Sequence, residues 1–461
     1  MKRTGRYVCF FLAVEFASWE VSTFSAQGFF PPPLLHARPP SSTWARNGDG
    51  EGIANNIHGS WIGANSTGAV PALRSMDHIF VFGVGYTGEW FCRTVRHIAE
   101  EAFHSGIKDL NRPRISASTR CPEKAHLLRT SGLVDDVHIF DIDNEYTGLD
   151  ARGRAALSSS SHVLVTCPPV ADFDRDPLIT MHLDVLRSSA RLRWVGYLST
   201  TGVYGNHDGA WVHEDSDTLC GATIRPSMRS RLAAEQEWLR PSFVKKSQPG
   251  EVAQKEHEVQ TQIHNAPQLP VHIFRLAGIY GPGRSALDTV RRAMVREESE
   301  ARSTSRSSGG VTDAAMALQW VNRIHVVDIC GALLASIARP SPGTVYNVAD
   351  NCPASRQEVL TFASKLLLNS VKPTVTEGQL TERASRDALD QHIANVLSSS
   401  GRAGSSTSER RMRTLNKENK RVQNTRLSDE LKYSLRFPTY VEGLDQIFTH
   451  ETCLEMEGYE E

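Results

Sequence analysis

Short apolar segments alternate with amphipathic ones through the middle of this chain. The first apolar segment, His78–Phe82, ends at a glycine-rich loop, and residues 89–102 then carry apolar side chains at helical spacing. A short continuous apolar run is typical of a buried strand, whereas a period of about 3.6 residues indicates an amphipathic helix. These segments therefore predict a strand, a turn and a helix.

Five further segments have the pattern of a short strand. They are residues 114–120, 137–141, 162–166, 193–200 and 272–276. Strands that alternate with helical patterns at this spacing form parallel βαβ units. The sequence therefore predicts an α/β fold with a doubly wound parallel sheet of the Rossmann type.

The N-terminal part of the chain follows a different pattern. Three basic residues within the first six positions precede the apolar run 7–14, and small residues follow up to Ala26, which is the order of a signal peptide. Residues 29–72 are then rich in Pro, Ser, Gly, Asn and Ala, a composition that buries too little apolar area to offset its chain entropy. We expect residues 1–75 to be a targeting leader and a disordered linker.

The leader resembles the bipartite sequences that direct proteins into plastids bounded by extra membranes in algae. Two aromatic residues, Phe29 and Phe30, lie just beyond the predicted cleavage site and support this resemblance. The favoured localisation is therefore the plastid (chloroplast). A mitochondrial presequence, or a disordered extension of a cytoplasmic protein, is the alternative.

Three later stretches, 241–267, 297–313 and 396–411, are low in large apolar residues and are predicted to be inserted surface loops. The folded domain is expected to span residues 76–448. Residues 449–461 would then be a tail.

Composition and charge narrow the class of protein. The 461 residues can hold a doubly wound domain of about 250–300 residues. A net charge of −1 without a long basic run argues against a nucleic acid or an anionic membrane as partner, and the N-terminal apolar run is too short to span a bilayer. The eight cysteines lie singly along the chain without metal-ligand spacing, so neither a disulfide framework nor a metal site is predicted.

The glycine-rich loop after the first strand is the first candidate site. Its first glycine permits a tight turn, its second lets the backbone approach a pyrophosphate, and its third lets the helix pack closely on the strand. The start of that helix supplies unpaired N–H groups for phosphates. The position between a strand and a helix is the context that supports such a motif. We expect a nicotinamide dinucleotide to bind at Gly83, Gly85, Tyr86, Thr87 and Gly88.

The end of the second strand bears on which dinucleotide binds. An NAD site would have Asp or Glu there for the ribose 2′-hydroxyl, but this sequence has Ser118-Thr119-Arg120. Hydroxyls and an arginine suit a 2′-phosphate, so we predict NADP rather than NAD, with Thr119 and Arg120 as ligands. The alternative is that Arg120 is a solvent-exposed residue at the end of the strand and does not contact the cofactor.

Two later strand ends complete the predicted cofactor site. Asp141, after the third strand, would hydrogen-bond the adenine or start a loop. Thr166 and Pro168 follow the fourth strand, where this fold passes its backbone alongside the nicotinamide ribose. Cys167 between them is expected to be a packing residue rather than a nucleophile.

Four ordered motifs in the rest of the chain carry a family resemblance. They are Leu-Ser-Thr-Thr-Gly-Val-Tyr-Gly at 198–205, Arg-Leu-Ala-Gly-Ile-Tyr-Gly-Pro-Gly-Arg at 275–284, Arg-Ile-His-Val-Val-Asp-Ile at 323–329 and Val-Tyr-Asn-Val-Ala-Asp at 345–350. This set is similar to the motifs of the extended short-chain dehydrogenases and the NAD-dependent epimerase/dehydratase family. The resemblance covers roughly residues 79–448.

An atypical subgroup, the bacterial YeeZ-like proteins and their plant plastid relatives, is the most similar. Its members share Gly-Ala-Trp-Val at 209–212, Asn-Lys-Arg-Val at 419–422 and Leu-Arg-Phe-Pro-Thr-Tyr at 435–440. The resemblance implies a small C-terminal α/β lobe for a small-molecule substrate, with a nucleotide sugar as one candidate. It also suggests a homodimer that pairs through two helices.

The acid/base pair of this family is missing. An active short-chain dehydrogenase uses a Tyr-x-x-x-Lys pair, in which the lysine lowers the tyrosine pKa and the phenolate moves the proton. Alignment on Ala234-Glu235 places Ser227 at the tyrosine position and Arg231 at the lysine position. Serine has no accessible phenolate-like form, and arginine stays charged.

Substitutes for the missing pair can be named. Thr200, or the adjacent Thr201, takes the place of the family's polarising hydroxyl. Tyr204 would lie near the nicotinamide, or would pack against its own loop. Arg229 and Arg231 would bind a phosphorylated or acidic substrate, or be solvated helix residues.

Three functions are consistent with these observations. The favoured one is an NADP-dependent oxidoreductase or epimerase with Thr200, Tyr204 and Arg231 as nonstandard catalytic residues. A non-catalytic NADP-binding redox sensor or regulatory protein is the second, because the Tyr-Lys pair is missing. A scaffold that has lost its cofactor conflicts with the three retained glycines. In the substrate lobe, His325 and Asp328 are expected to organise structure rather than to catalyse.

Overall fold

The structure of the chain is a computed structural model. It describes residues 69–107, 110, 112–141, 148–170, 176–221, 224–239, 268–302, 319–370 and 418–457. The predicted leader and most of the linker, the predicted loops 241–267 and 396–411, and the last residues of the predicted tail lie outside the described residues.

A single sheet forms the centre of the fold. The strands are β1 (His78–Phe82), β2 (Arg114–Thr119), β3 (Asp136–Asp141), β4 (Gly148–Leu149), β5 (His162–Val165), β6 (Trp194–Thr200), β7 (Trp211–Val212), β8 (Val271–Leu276), β9 (Gly278–Tyr280), β10 (Arg323–His325), β11 (Val345–Val348) and β12 (Arg421–Val422). Eight of them pair in the order β11-β8-β6-β5-β1-β2-β3-β4. Neighbours run parallel except β3 and β4, which are antiparallel. The six strands predicted from the sequence are all present in this sheet.

Helices cover both faces of the sheet, which confirms the doubly wound architecture. They are α1 (Ala69–Ser75), α2 (Tyr86–His104), α3 (Pro122–Thr130), α4 (Ala151–Ser159), α5 (Pro177–Ser188), α6 (Pro226–Leu239), α7 (Ala286–Arg302), α8 (Val326–Ala338), α9 (Arg356–Ser370), α10 (Thr425–Asp429) and α11 (Tyr440–Glu457). In β1, Ile79 and Val81 belong to one apolar cluster and Phe80 and Phe82 to the other. Because side chains alternate along a strand, β1 is buried on both sides, as its continuous apolar run predicts.

The smaller lobe contains two short strand pairs, β9 with β10 and β7 with β12. Asp328 of α8 ties the C-terminal segment to this lobe. Its carboxylate accepts hydrogen bonds from the Tyr433 hydroxyl (2.8 Å) and from the backbone N–H groups of Arg436 (2.6 Å) and Phe437 (3.0 Å). His325 is fully buried and caps the start of α8. Both residues therefore hold the lobe together, as expected.

Three predicted boundaries are wrong. Ala69–Ser75 forms helix α1 instead of linker, because Ala72 and Leu73 bury their side chains against the core. Residues 297–302 continue α7 instead of starting a loop, since Glu, Ala and Arg favour helix. Helix α11 extends to Glu457, past the predicted end of the domain at residue 448. Among the described residues, no helix is long and apolar enough to cross a membrane.

Candidate functional site

The glycine-rich loop joins β1 to α2 where the parallel strands end. Gly83 has a φ of +85°, in the left-handed region that favours glycine, and a Cβ there would lie 2.8 Å from Cys167 Sγ. A Cβ on Gly88 would lie 3.2 Å from Val81 Cγ1, so the start of α2 packs directly on β1. These two glycines therefore serve the turn and the helix–strand packing that the motif predicts.

Gly85 is in a different situation. It precedes the first residue of α2, it is exposed, and a Cβ there would meet nothing within 4 Å. No side chain caps this helix start, so its first backbone N–H groups have no side-chain acceptor. This open cradle at a helix N-terminus fits the pyrophosphate of a dinucleotide.

Two hydrogen bonds with side chains hold Gly83 in this loop. The backbone N–H of Gly83 donates to Ser118 Oγ at the end of β2 (3.0 Å), and the Thr166 hydroxyl donates to the carbonyl oxygen of Gly83. Cys167 is half-buried, its thiol donates to the carbonyl of Phe82 (3.4 Å), and burial raises its pKa. This thiol packs against the loop, as expected, and is not activated.

A cavity of about 210 Å³ lies beside the loop. Its lining residues come from the carboxyl ends of β5, β6 and β8, the start of α2, helix α6 and the segment after β8. They are Gly85, Tyr86, Thr87, Thr166, Leu198, Ser199, Arg231, Leu276, Ile279 and Arg284. The charged groups among them are two arginines, and these lining residues include no carboxylate, histidine or lysine. Nowhere in the described part of the chain do three or more His, Cys, Asp or Glu side chains gather as metal ligands would.

Arg231 reaches this cavity from α6. Its Nη1 donates to the carbonyl oxygen of Leu198 (2.9 Å), which holds the guanidinium at the end of β6. Ser227, one turn earlier on α6, is exposed and is not among the lining residues, and Arg229 is also exposed. The structure thus brings the residue at the predicted lysine position into the cavity, but not the one at the tyrosine position.

Tyr204, predicted as a catalytic residue near the nicotinamide, does not lie at the cavity. The side chain is fully buried and does not line the cavity. Its hydroxyl donates to Asn347 Oδ1 (2.7 Å) and accepts from Arg275 Nη1 (2.9 Å), and burial raises its pKa. Tyr204 therefore packs inside the protein, where its hydroxyl contacts Asn347 and Arg275 rather than its own loop.

Thr200 lies at the end of β6, next to the cavity-lining Ser199. Its Oγ1 accepts the backbone N–H of Gly202 (3.1 Å) and so caps the 3-10 turn Thr201–Tyr204. The hydroxyl proton is not used in that bond. Thr200 is partly exposed, whereas Thr201 is buried. The geometry thus leaves Thr200, rather than Thr201, as a hydrogen-bond donor close to the cavity.

A buried ion pair behind the cavity was missed by the sequence analysis. Glu235 of α6 and Arg275 of β8 lie 2.8 Å apart and are 2% and 7% exposed. Burial alone would lower the pKa of Arg275, but the hydrogen bonds and charge of Glu235 raise it. The Ser199 hydroxyl also donates to the Glu235 carboxylate. In the sequence, Glu235 serves only as a reference for aligning the Tyr-Lys positions, and Arg275 is simply the first residue of the 275–284 motif. Nothing in the local pattern shows that the two residues pair.

The remaining predicted cofactor residues lie at the same edge of the sheet but do not line the cavity. Thr119 is buried and its Oγ1 accepts the backbone N–H of Cys121 (3.3 Å), while Arg120 is exposed at the end of β2. Pro168 is exposed after β5. Asp141 ends β3, and its side chain lies outside the described residues.

Comparison with known proteins supports the fold. No protein-family model matches the chain, and no curated protein matches it either. Among solved structures, a functionally unknown conserved protein from Silicibacter pomeroyi is 29% identical, with a TM-score of 0.50 over 81% of this chain and 98% of its own.

Two further solved structures are more distant. A dTDP-glucose 4,6-dehydratase from Bacillus anthracis in complex with NAD is 14% identical, with a TM-score of 0.50 over 82% of this chain and 97% of its own. A putative NAD-dependent epimerase/dehydratase from Methylobacillus flagellatus is 19% identical, with a TM-score of 0.43 over 82% of this chain and 99% of its own. The structures from Silicibacter pomeroyi and Bacillus anthracis share the predicted α/β fold with this chain. Membership of the YeeZ-like subgroup stays a prediction.

Proposed function

Because the chain has the fold of the NAD-dependent epimerases and dehydratases, we propose that it is an NADP-binding oxidoreductase that reduces a carbonyl group on a small anionic substrate. The observation that carries this proposal is the cavity beside the open cradle at Gly85, whose charged lining residues are Arg231 and Arg284. The cofactor, when bound, supplies the hydride. The residues of the chain must then bind the substrate and stabilise the charge that develops on it.

Arg231 is the residue best placed for that second task. Its guanidinium stays protonated, so it stabilises a developing negative charge but does not accept a proton. Hydride addition to a carbonyl leaves an alkoxide, which would take its proton from solvent water in the cavity because neither lining arginine gives one up. The two arginines would stabilise that alkoxide before it is protonated, and this is the basis for proposing carbonyl reduction. Thr200 would add a second hydrogen bond to the same oxygen.

The activity is tested by mixing the protein with NADPH and a panel of 2-keto acids, sugar phosphates and keto-sugar nucleotides. Loss of the NADPH absorbance with one of these compounds is the expected result. In that assay, Arg231→Met should lower the turnover number about 10- to 100-fold, the worth of a hydrogen bond to a charged group. Arg229→Met, on the exposed face of the same helix, is the matched control and should leave turnover unchanged.

NADP rather than NAD is proposed as the cofactor because Arg120 directly follows β2 at the edge of the sheet that carries the glycine-rich loop. The adjacent Ser118 holds Gly83, so the arginine and the glycine loop share one edge of the sheet. Arg120→Ala should weaken NADPH binding about tenfold and leave NADH binding unchanged, because only NADPH carries the 2′-phosphate. The measurement is a fluorescence titration with each nucleotide. Arg191→Ala is the control, because Arg191 lies in the turn before β6 at the other end of the strands, and it should bind both nucleotides like the unmodified chain. An Arg120→Ala variant that keeps the same preference for NADPH over NADH would contradict the role of Arg120 at the 2′-phosphate.

A non-catalytic NADP-binding sensor is the second candidate. The buried hydroxyl of Tyr204 and the exposed Ser227 favour it, since neither can replace the acid/base pair in the cavity. Tight NADPH binding without turnover on any compound of the panel would support this candidate over the oxidoreductase. A nucleotide-sugar epimerase, in contrast, would convert its substrate without net consumption of NADPH.

Plastid import and pairing into a homodimer are also proposals. Import rests on the order of residues in the N-terminal leader, which lies outside the described residues. Fusion of residues 1–75 to a fluorescent protein should direct it into the plastid of an algal cell.

The dimer is tested by light scattering of the purified chain, where a single-chain mass of 51.0 kDa would contradict it.

A further inference from the structure

Tyr86 of the glycine-rich loop contacts the substrate-side loop directly. Its hydroxyl donates to the carbonyl oxygen of Pro282 (3.1 Å), a residue 196 positions further along the chain. The guanidinium of Arg284 lies over the Tyr86 ring, 5.4 Å from its centroid, within the range of a cation–π contact. Tyr86 therefore joins the first turn of α2 to the turn at residues 281–284.

The turn at 281–284 is shaped to receive this tyrosine. Gly281 and Arg284 exchange two backbone hydrogen bonds of 3.1 and 3.0 Å, and Gly283 has a φ of +71°. A Cβ on Gly281 would lie 2.6 Å from the Tyr86 hydroxyl oxygen, so a larger residue there would displace Tyr86. The position of Arg284 is thus defined by packing, although its side chain is exposed.

Arg284 and the helix start attract the same kind of ligand. Both features line the cavity. The helix start contributes Gly85, Tyr86 and Thr87, and the turn at residues 281–284 contributes the positive charge of Arg284. Unpaired N–H groups at a helix start and a guanidinium each favour a phosphate. Within the described residues, no carboxylate lies within ion-pair distance of Arg284 to neutralise it. An anion bound at the cradle would therefore also meet Arg284.

We propose that Arg284 is a ligand of the dinucleotide pyrophosphate, held over the glycine-rich loop by Tyr86. This inference rests on the proposed cofactor binding and adds a residue from the substrate side to that site. The pyrophosphate is favoured over an anionic substrate because Arg284 stacks on a side chain of the first turn of α2, directly after Gly85. The substrate-side loop would thus close over the cofactor, which couples cofactor release to movement of that loop.

The test uses the full chain and three probes: NADPH, ADP-ribose and adenosine 2′,5′-bisphosphate, which lacks a pyrophosphate. Arg284→Met keeps the length of the apolar stem and removes the charge. It should weaken NADPH and ADP-ribose about tenfold and leave adenosine 2′,5′-bisphosphate unchanged. Arg292→Met is the matched control, since Arg292 is exposed on α7 outside the cavity and its Nε donates to the carbonyl oxygen of Asp288.

Tyr86→Phe tests the bridge itself, because it keeps the ring under Arg284 and removes only the hydrogen bond to Pro282. It should raise the rate of NADPH dissociation about two- to fivefold, the worth of one neutral hydrogen bond, with an unchanged circular dichroism spectrum. NADPH affinity that Arg284→Met leaves unchanged would overturn the inference while the proposed function stands. An equal loss for adenosine 2′,5′-bisphosphate would overturn it too. Absence of NADPH binding by the unmodified chain would overturn both.

Discussion

A Gly85→Val variant is expected to fold like the unmodified chain and to lose NADPH binding by at least about 100-fold. The side chain would project into open space, since a Cβ at this position meets nothing within 4 Å, and the φ of −92° suits any residue. It would also fill the cradle in which phosphate oxygens must approach the backbone, and displacing a pyrophosphate from several hydrogen bonds costs about 3 kcal/mol or more.

Two measurements check this prediction. Thermal unfolding followed by circular dichroism should give the same midpoint for the variant and the unmodified chain. Fluorescence titration should then show saturable NADPH binding in the unmodified chain alone. A variant that still binds NADPH with native affinity would show that the cradle is not the cofactor site.

Glu235→Gln is expected to destabilise the fold by about 3–5 kcal/mol, because it leaves the Arg275 guanidinium buried without its counter-charge. Both partners are almost fully buried, at 2% and 7% exposure, so water cannot take the place of the lost carboxylate. The same network holds Ser199, Arg275 and Tyr204, and its loss would loosen the contact of α6 with β6 and β8.

Urea unfolding of the unmodified chain and two variants measures this effect. Glu89→Gln is the matched control, since Glu89 pairs with Arg93 and Lys124 in partly exposed bridges whose side chains are 31% to 33% exposed. Each such bridge should contribute no more than about 1 kcal/mol to the free energy of unfolding. Equal losses in the two variants would contradict the assignment of Glu235 and Arg275 as a structural ion pair.

Features that depend on neighbouring residues could be predicted from the sequence. The apolar run of β1, the glycines that follow it and the helical spacing of α2 lie within 27 consecutive residues, His78 to His104, and each leaves a local pattern. The parallel order of the sheet followed from the repetition of such units. Helix α1 was missed because it has only seven residues, of which Ala72 and Leu73 alone are buried. Two buried positions are too few to give a helical pattern in the sequence.

The candidate site was only partly predictable, because its side chains are brought together by distant segments. The hydroxyl of Tyr204 is occupied by Arg275 and Asn347, which lie 71 and 143 positions away. Tyr86 meets Pro282 across 196 positions. A tyrosine at a strand end has the same local pattern whether it faces a cavity or a buried arginine, so its role depends on the tertiary structure.

The central claim, that a dinucleotide binds beside the glycine-rich loop, is tested most directly by amide hydrogen exchange of the full chain with and without saturating NADPH. The account predicts slower exchange in peptides that cover residues 83–88 and 281–284, and unchanged exchange in α8 at residues 326–338. NADPH that binds without protecting residues 83–88, or that protects a different part of the chain, would contradict it.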